Sequence, residues 1–296
     1  MSKKKTFNLK QLFLLICVVS MCGGFWGCFD RKSKFIDIRA ASYNIRYRAV
    51  ADSISGDSWN DRKVDVAQVI ISNNFDIVGT QEGDEKQLQD LMILLPDYHY
   101  VGYPYGGKNG NLHNCATFYK SSKYEVLDSG VFWYSETPNV KSIGWDATDL
   151  RICNWIKFKE KLSSQEFFFF NSHFYWKNKI ARNNSGEVLI EKIKEIAGNK
   201  PVISTGDYNS QDTTPQIQKI LTVLKDAYRT TLSEPKGVLG TNLGGGNFKG
   251  PEKGRIDYIF VSSQIQVLDY AVLDDKRENG HFPSDHLPVV CNLRIW

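Results

Sequence analysis

Six short polar groups sit where apolar runs of this chain end. Ser42-Tyr43-Asn44 closes the first run, and Thr80-Gln81-Glu82-Gly83 follows Asp76-Ile77-Val78. Asn171-Ser172-His173 comes after Phe167–Phe170, and Thr205-Gly206-Asp207-Tyr208-Asn209 after Val202-Ile203. Arg255-Ile256-Asp257-Tyr258 and Ser284-Asp285-His286 complete the set, the last just ahead of Val289-Val290. Asn44, Glu82, Asp207, Asn209 and Asp285 are hard oxygen donors with no thiolate among them, which suits magnesium or manganese rather than zinc. Two histidines beside spare carboxylates suit stabilising phosphoryl oxygens and protonating a leaving oxygen. No serine or cysteine nucleophile motif accompanies them, so the attacking species that fits is water.

Each group also has a plain structural reading. Asp207-Tyr208-Asn209 fits an Asx turn after a strand, and Glu82 fits an acid at a helix N-terminus. Asn44 could satisfy strand-end backbone groups, and His173 could be a core histidine. Asp257 resists such a reading, because an unpaired carboxylate in an apolar strand is costly. It needs a partner, and a histidine would serve. The joint occurrence at the ends of apolar runs is what singles these groups out, since sheet edges hold reactive side chains on rigid elements.

The elements that must carry them alternate without a long linker. Ile36–Ile45 alternates as a strand, Asp61–Ile71 reads as a helix on a Val64, Ala67, Ile71 stripe, and Phe75–Gly79 as a short buried strand. A helix over Asp84–Leu95 stops at Pro96, and the chain is then strand-rich from Tyr98 to Phe170. Leu189, Ile193, Ile196 and Ala197 mark a helix ending near Gly198-Asn199, followed by a strand at Pro201–Ser204 and a helix at Pro215–Leu224. Three strands close the chain, at Arg255–Ser262, Ile265–Leu273 and Leu287–Ile295. Gly244-Gly245-Gly246 reads as a mobile loop rather than a phosphate cradle, because Lys249-Gly250-Pro251 forbids the helix a cradle needs. Many strands, few helices and no repeat predict two packed sheets with helices outside, in one domain from about Phe35 to Trp296.

Composition supports a globular domain, with 296 residues, 42% hydrophobic and 24% charged. The first 28 residues read as an export segment. Lys3, Lys4, Lys5 and Lys10 precede an uncharged stretch from Gln11 to Phe29. Cys28 follows Gly27, so a lipid-modified Cys28 anchoring the chain to a bacterial cell envelope is the expectation. An uncleaved anchor helix and a plain cleaved secretory peptide are the alternatives. Membrane association that survives Cys28→Ser would decide for the helix. The four lysines account for the whole net charge of +4, leaving the remainder formally neutral. A basic excess is what bulk nucleic-acid binding requires, so nucleic acid is not favoured as a partner. Cys115, Cys153 and Cys291 lie in apolar runs without metal-ligand spacing and read as buried free thiols.

In order and wording the six groups resemble the endonuclease/exonuclease/phosphatase superfamily of metal-dependent hydrolases, over nearly all of the chain from Ser42 to Val289. Trp59-Asn60-Asp61-Arg62-Lys63, Phe132–Pro138 and Gly144-Trp145-Asp146-Ala147 look like a bacterial branch of it. The resemblance implies a deoxyribonuclease-like, four-layer α/β/β/α sandwich of two mainly antiparallel sheets flanked by helices, forming a catalytic domain over residues 35–296. It implies that Glu82 binds the divalent metal (Mg2+ or Mn2+), helped by Asn44 and Asp285. Asp207 would orient or deprotonate water, Asn209 would position phosphate, and His173 would contact phosphoryl oxygens. His286 would be polarised by Asp257, and Arg151 would clamp phosphate. The chain departs from the branch after His173, where Phe174-Tyr175-Trp176 replaces an acid and a second histidine. It departs again where His113 or Asn114 stands for a glutamate. Tyr175 and Trp176 are a candidate aromatic platform, or packing. The leading expectation is a monomeric, exported phosphodiesterase or phosphatase acting on a small-molecule, glycan or lipid phosphoester. A ligand-binding lipoprotein with little turnover and an extracellular nuclease are the alternatives.

Overall fold

A computed structural model describes residues 35–107 and 112–296. The segment expected to direct export, residues 1–28 with Cys28, lies outside the described residues. From Phe35 the chain runs through β1 (Ile36–Asn44), α1 (Trp59–Ser72), β2 (Ile77–Gln81), α2 (Glu85–Leu94), β3 (Tyr98–Pro104) and β4 (Asn114–Lys120). Next come β5 (Tyr124–Trp133), β6 (Ile152–Glu160), β7 (Glu166–His173), α3 (Lys179–Ala197), β8 (Val202–Asp207) and α4 (Pro215–Ile220). Three short elements follow, β9 (Lys225–Asp226), α5 (Ala227–Thr230) and β10 (Lys236–Gly237). The last strands are β11 (Asp257–Val261), β12 (Ile265–Val267), β13 (Ala271–Val272) and β14 (Val289–Ile295).

Two mixed sheets form among the described residues. One has eight strands in the order β10-β13-β14-β1-β2-β4-β3, with β12 also on β14, and the other has six in the order β5-β6-β7-β8-β11-β9. The side-chain period of two sorts the apolar residues into layers. Ile36, Ile38 and Ala40 of β1 meet Phe167, Phe169, Ile203 and Ile259 between the sheets. Ala41 and Tyr43 turn outward under α1 and α2, while Phe168 and Phe170 turn outward under α3 and α4. The unbroken Phe167–Phe170 run thus reflects a strand buried on both faces. The result is the four-layer α/β/β/α sandwich.

Several element details differ from the sequence reading. In α1 the buried positions are Trp59, Arg62, Val66, Ala67, Val69 and Ile70, whereas Val64 and Ile71 face solvent. The buried stripe passes through an arginine, which an apolar pattern cannot register. Arg62 is fully buried and donates from Nη1 to Ile45 O (2.6 Å) and Pro283 O (3.2 Å), and from Nη2 to Arg46 O (2.7 Å). It stitches the segment leaving β1 to the segment entering β14. Burial lowers its pKa to about 10, so the guanidinium stays charged at neutral pH. The strand expected over Ile265–Leu273 is broken in two, because the Asp269 carboxylate takes the Asn292 N–H (2.8 Å) and its side-chain amide (2.6 Å). α4 stops at Ile220, and Leu221–Leu224 continue as turns. Cys115, Cys153 and Cys291 are buried free thiols.

Register collects the polar groups at one edge. β1 and β2 are parallel with Asn44 opposite Gln81, and β14 runs antiparallel to β1, so its entry lies beside the end of β1. In the second sheet β8 lies between β7 and β11, aligning Asp207 with His173 on one side and Asp257 on the other. Near this edge the sheets approach closely at Gly79, where a Cβ would fall 2.4 Å from Thr205 Oγ1 and 2.8 Å from the Asn171 side chain. Only glycine fits there. Asn171 bridges the sheets, accepting from Gln81 Nε2 (2.7 Å) and donating to Thr80 O (2.9 Å).

Candidate active site

Asp207, at the end of β8, is the hub of the edge. Its Oδ1 accepts the Asn209 N–H at 2.9 Å, the Asx turn that the sequence allows. Its Oδ2 accepts from Asn44 Nδ2 at 3.0 Å and faces His173 Nε2 at 3.5 Å and His286 Nε2 at 3.8 Å. Burial, with the negative charge of Asp257, pushes its pKa up to about 7. The Asx turn and the functional arrangement therefore coexist at one residue.

Asp257 has the partner its burial demands. His286 Nδ1 lies 2.9 Å from Asp257 Oδ2, which also accepts from Thr241 Oγ1 at 2.7 Å. Thr241 Oγ1 in turn accepts the Asp257 N–H at 3.0 Å. Burial works against the charged His286 imidazole, but Asp257 and Asp207 outweigh it and raise its pKa well above the ordinary range. His286 is thus an imidazolium with Nε2 directed at Asp207. His173 goes the other way. Burial and the nearby Arg151 charge hold it neutral, and its Nδ1 is tied to the Tyr105 hydroxyl at 2.6 Å.

Glu82 follows β2 with left-handed backbone, φ 69°. Its Oε1 accepts from Asn44 Nδ2 (3.2 Å) and its Oε2 from the Tyr47 N–H (3.2 Å). Despite burial, which opposes ionisation, His113 and Arg46 hold its pKa below the usual carboxylate value. Asn44 presents its NH2 to Glu82 and Asp207, while its Oδ1 accepts the Arg46 N–H at 3.0 Å. Asp285 Oδ2 accepts the Gly246 N–H at 2.7 Å and lies 3.7 Å from Arg46 Nη1, and its buried Oδ1 has no partner. The glycine stretch thus reaches the site as a backbone donor.

A divalent cation fits this donor set. Glu82, His173 and Asp207 offer ligand atoms all within 4.8 Å of one another, as do Asp207, Asp257 and His286. The unpartnered Asp285 Oδ1 adds a further oxygen. Asp285 belongs to neither group. Carboxylates this crowded repel unless a cation or proton sits among them.

These groups open into a cavity of about 450 Å³ lined by Glu82, His173, Asp207, Asn209, Asp285 and His286, together with Arg46, Tyr105, His113, Arg151 and Trp176. Asn44 and Asp257 stand behind its wall and act through their neighbours. Among the acidic, basic and histidine side chains of the six groups, Arg255 alone points elsewhere. It forms a bidentate pair with Asp226 at 3.0 and 2.7 Å. Tyr175 is packing, buried with its hydroxyl 3.0 Å from Thr148 Oγ1, whereas Trp176 is 55% exposed on the cavity wall. Arg46, Tyr105 and Thr241 are contributors that sequence reasoning missed. Arg46 follows Asn44 by two residues, and that adjacency was the one available signal. Tyr105 and Thr241 arrive from loops with no readable pattern.

The model of the Endonuclease/Exonuclease/phosphatase family matches residues 41–286. A mannosyl-6-phosphatase of Bacteroides thetaiotaomicron is 39% identical, with 86% of this chain and 99% of that one covered and a TM-score of 0.79. An endonuclease/exonuclease/phosphatase family protein of the same organism is 38% identical at a TM-score of 0.82, covering 89% of this chain and 99% of its own. Nocturnin of Drosophila melanogaster is 22% identical over 88% of this chain, which spans 47% of the Nocturnin length.

Proposed function

Because the chain belongs to the Endonuclease/Exonuclease/phosphatase family and is a hydrolase of that family, we propose that it is a divalent-metal-dependent hydrolase of small phosphoesters, exported to the cell envelope. The observation that carries this reading is the convergence of Asn44, His173 and His286 on the single Asp207 carboxylate at the cavity wall. A cavity of about 450 Å³ suits a small ligand, within the ordinary range of ligand pockets. The mannosyl-6-phosphatase at 39% identity supports a phosphoester as the bond cleaved.

Glu82, helped by Asp285, would hold magnesium or manganese, which would supply charge to phosphoryl oxygens and acidity to bound water. The chain's own residues do the rest. Asp207, oriented by Asn44 and the Asn209 N–H, accepts the proton of the attacking water. Asn209 and neutral His173 hold non-bridging oxygens, and Arg151 adds positive charge. His286, kept protonated by Asp257, opposes charge building on the phosphoryl group and can return a proton to the leaving alkoxide. Activity toward phosphoesters in magnesium that persists undiminished in excess EDTA would overturn the metal-dependent reading.

The same arrangement fixes a pH response. Turnover needs Asp207 ionised and His286 protonated, so the rate rises through the Asp207 pKa and falls beyond that of His286. The negative charge of Asp257 raises both. Asp257→Asn therefore moves both limbs of the kcat profile to lower pH and lowers the maximum by about 10²-fold as His286 loses its partner. A profile of kcat against pH checks it, and an alkaline limb left in place would disconnect Asp257 from His286.

A further inference from the structure

We propose that Arg151 and Trp176 form a subsite for a phosphorylated sugar, with Arg151 at the phosphoryl oxygens and the Trp176 indole carrying the pyranose ring. This deepens, and rests on, the reading of the cavity as a phosphoester site. Arg151 is 8% exposed, and its Nε and Nη1 are buried without a hydrogen-bond partner. Among the described residues no carboxylate pairs with it. Its guanidinium stands 5.9 Å from the Tyr105 ring and 5.8 Å from the Tyr175 ring. A buried cation with idle donors is costly, and its side chain lines the cavity that holds Asp207. An anion carried by the substrate completes it, in the planar, forked geometry that guanidinium offers to phosphate.

Trp176 supplies the opposite character. It is 55% exposed on the same wall, whereas its neighbour Tyr175 is committed to the core. An open indole face at a cavity wall accepts either the C–H face of a sugar or a nucleobase. The remaining lining favours the sugar. Asp149 and Asn242 offer carboxylate and amide groups, which match a ring bearing several hydroxyls better than a flat base. The formally neutral chain beyond residue 27 also offers no general attraction for polynucleotide.

The test is steady-state kinetics in magnesium on mannose 6-phosphate, glycerol phosphate and adenosine monophosphate, with wild type, Trp176→Ala and Trp176→Phe. Stacking losses of this kind translate to about a tenfold effect. Trp176→Ala should raise KM for mannose 6-phosphate by about tenfold, leave that for glycerol phosphate within about twofold, and be largely rescued by Trp176→Phe. Equal changes on sugar and glycerol phosphates, or a larger change on the nucleotide, overturn the sugar assignment. If wild type hydrolyses none of the three, the phosphoester reading itself fails. Calorimetric titration of wild type with mannose 6-phosphate then judges the subsite separately. Binding weakened by Trp176→Ala and by Arg151→Met supports it, and binding absent or unchanged overturns it.

Discussion

Asp207→Asn lowers kcat by about 10³-fold, within the span that positioned general bases contribute, while the fold is untouched or stabilised. The substitution keeps size and position, so the strand pairing with His173 and Asp257 persists. What it removes is the proton acceptor. It also removes a buried carboxylate that Asp257 already disfavours, as its pKa of about 7 shows. The paired readout matters. Loss of turnover with an equal or higher melting temperature places Asp207 in the chemistry, whereas loss of both would make it a structural residue. Turnover above a tenth of wild type would remove the general-base role.

Glu82→Ala weakens magnesium affinity by at least about tenfold, and turnover at limiting metal falls by about 10²-fold and recovers partly as metal is raised. Glu82 is held ionised by His113 and Arg46 in spite of its burial, and Asn44 and the Tyr47 N–H fix both its oxygens. Such a carboxylate is pre-positioned rather than recruited. Calorimetry with magnesium checks the prediction. An unchanged affinity would remove Glu82 from the metal site.

Much of the edge was legible because each functional group lies at one end of a strand whose pattern is plain. Asn44, His173 and Asp207 close runs of buried residues, and register does the remaining work of bringing them level. Asp257 was legible for another reason, since a buried acid announces an unseen partner. The less legible parts are those where long-range pairing decides. Nothing near Arg255 in sequence shows that Asp226 claims it. Nothing near Arg62 shows that carbonyls of Ile45, Arg46 and Pro283 converge on it, and that displaced the apolar stripe of α1. Tyr175 and Trp176 looked equivalent as a pair of aromatics, yet one is packing and the other lines the cavity.

Arg46, Glu82 and Asn209 share one backbone habit, with φ values of 56°, 69° and 47°. None is glycine, so each carries a local cost of about 1–3 kcal/mol. A strand offers a side chain only two directions, both into a layer of core. A left-handed step just past the strand end supplies a third, outward over the rim. The expense of that step is met by three layers of packed core. Stabilising this protein by relaxing those three residues would therefore disarm it. The sandwich works as a rigid vice, and its strained jaws set where reacting groups stand.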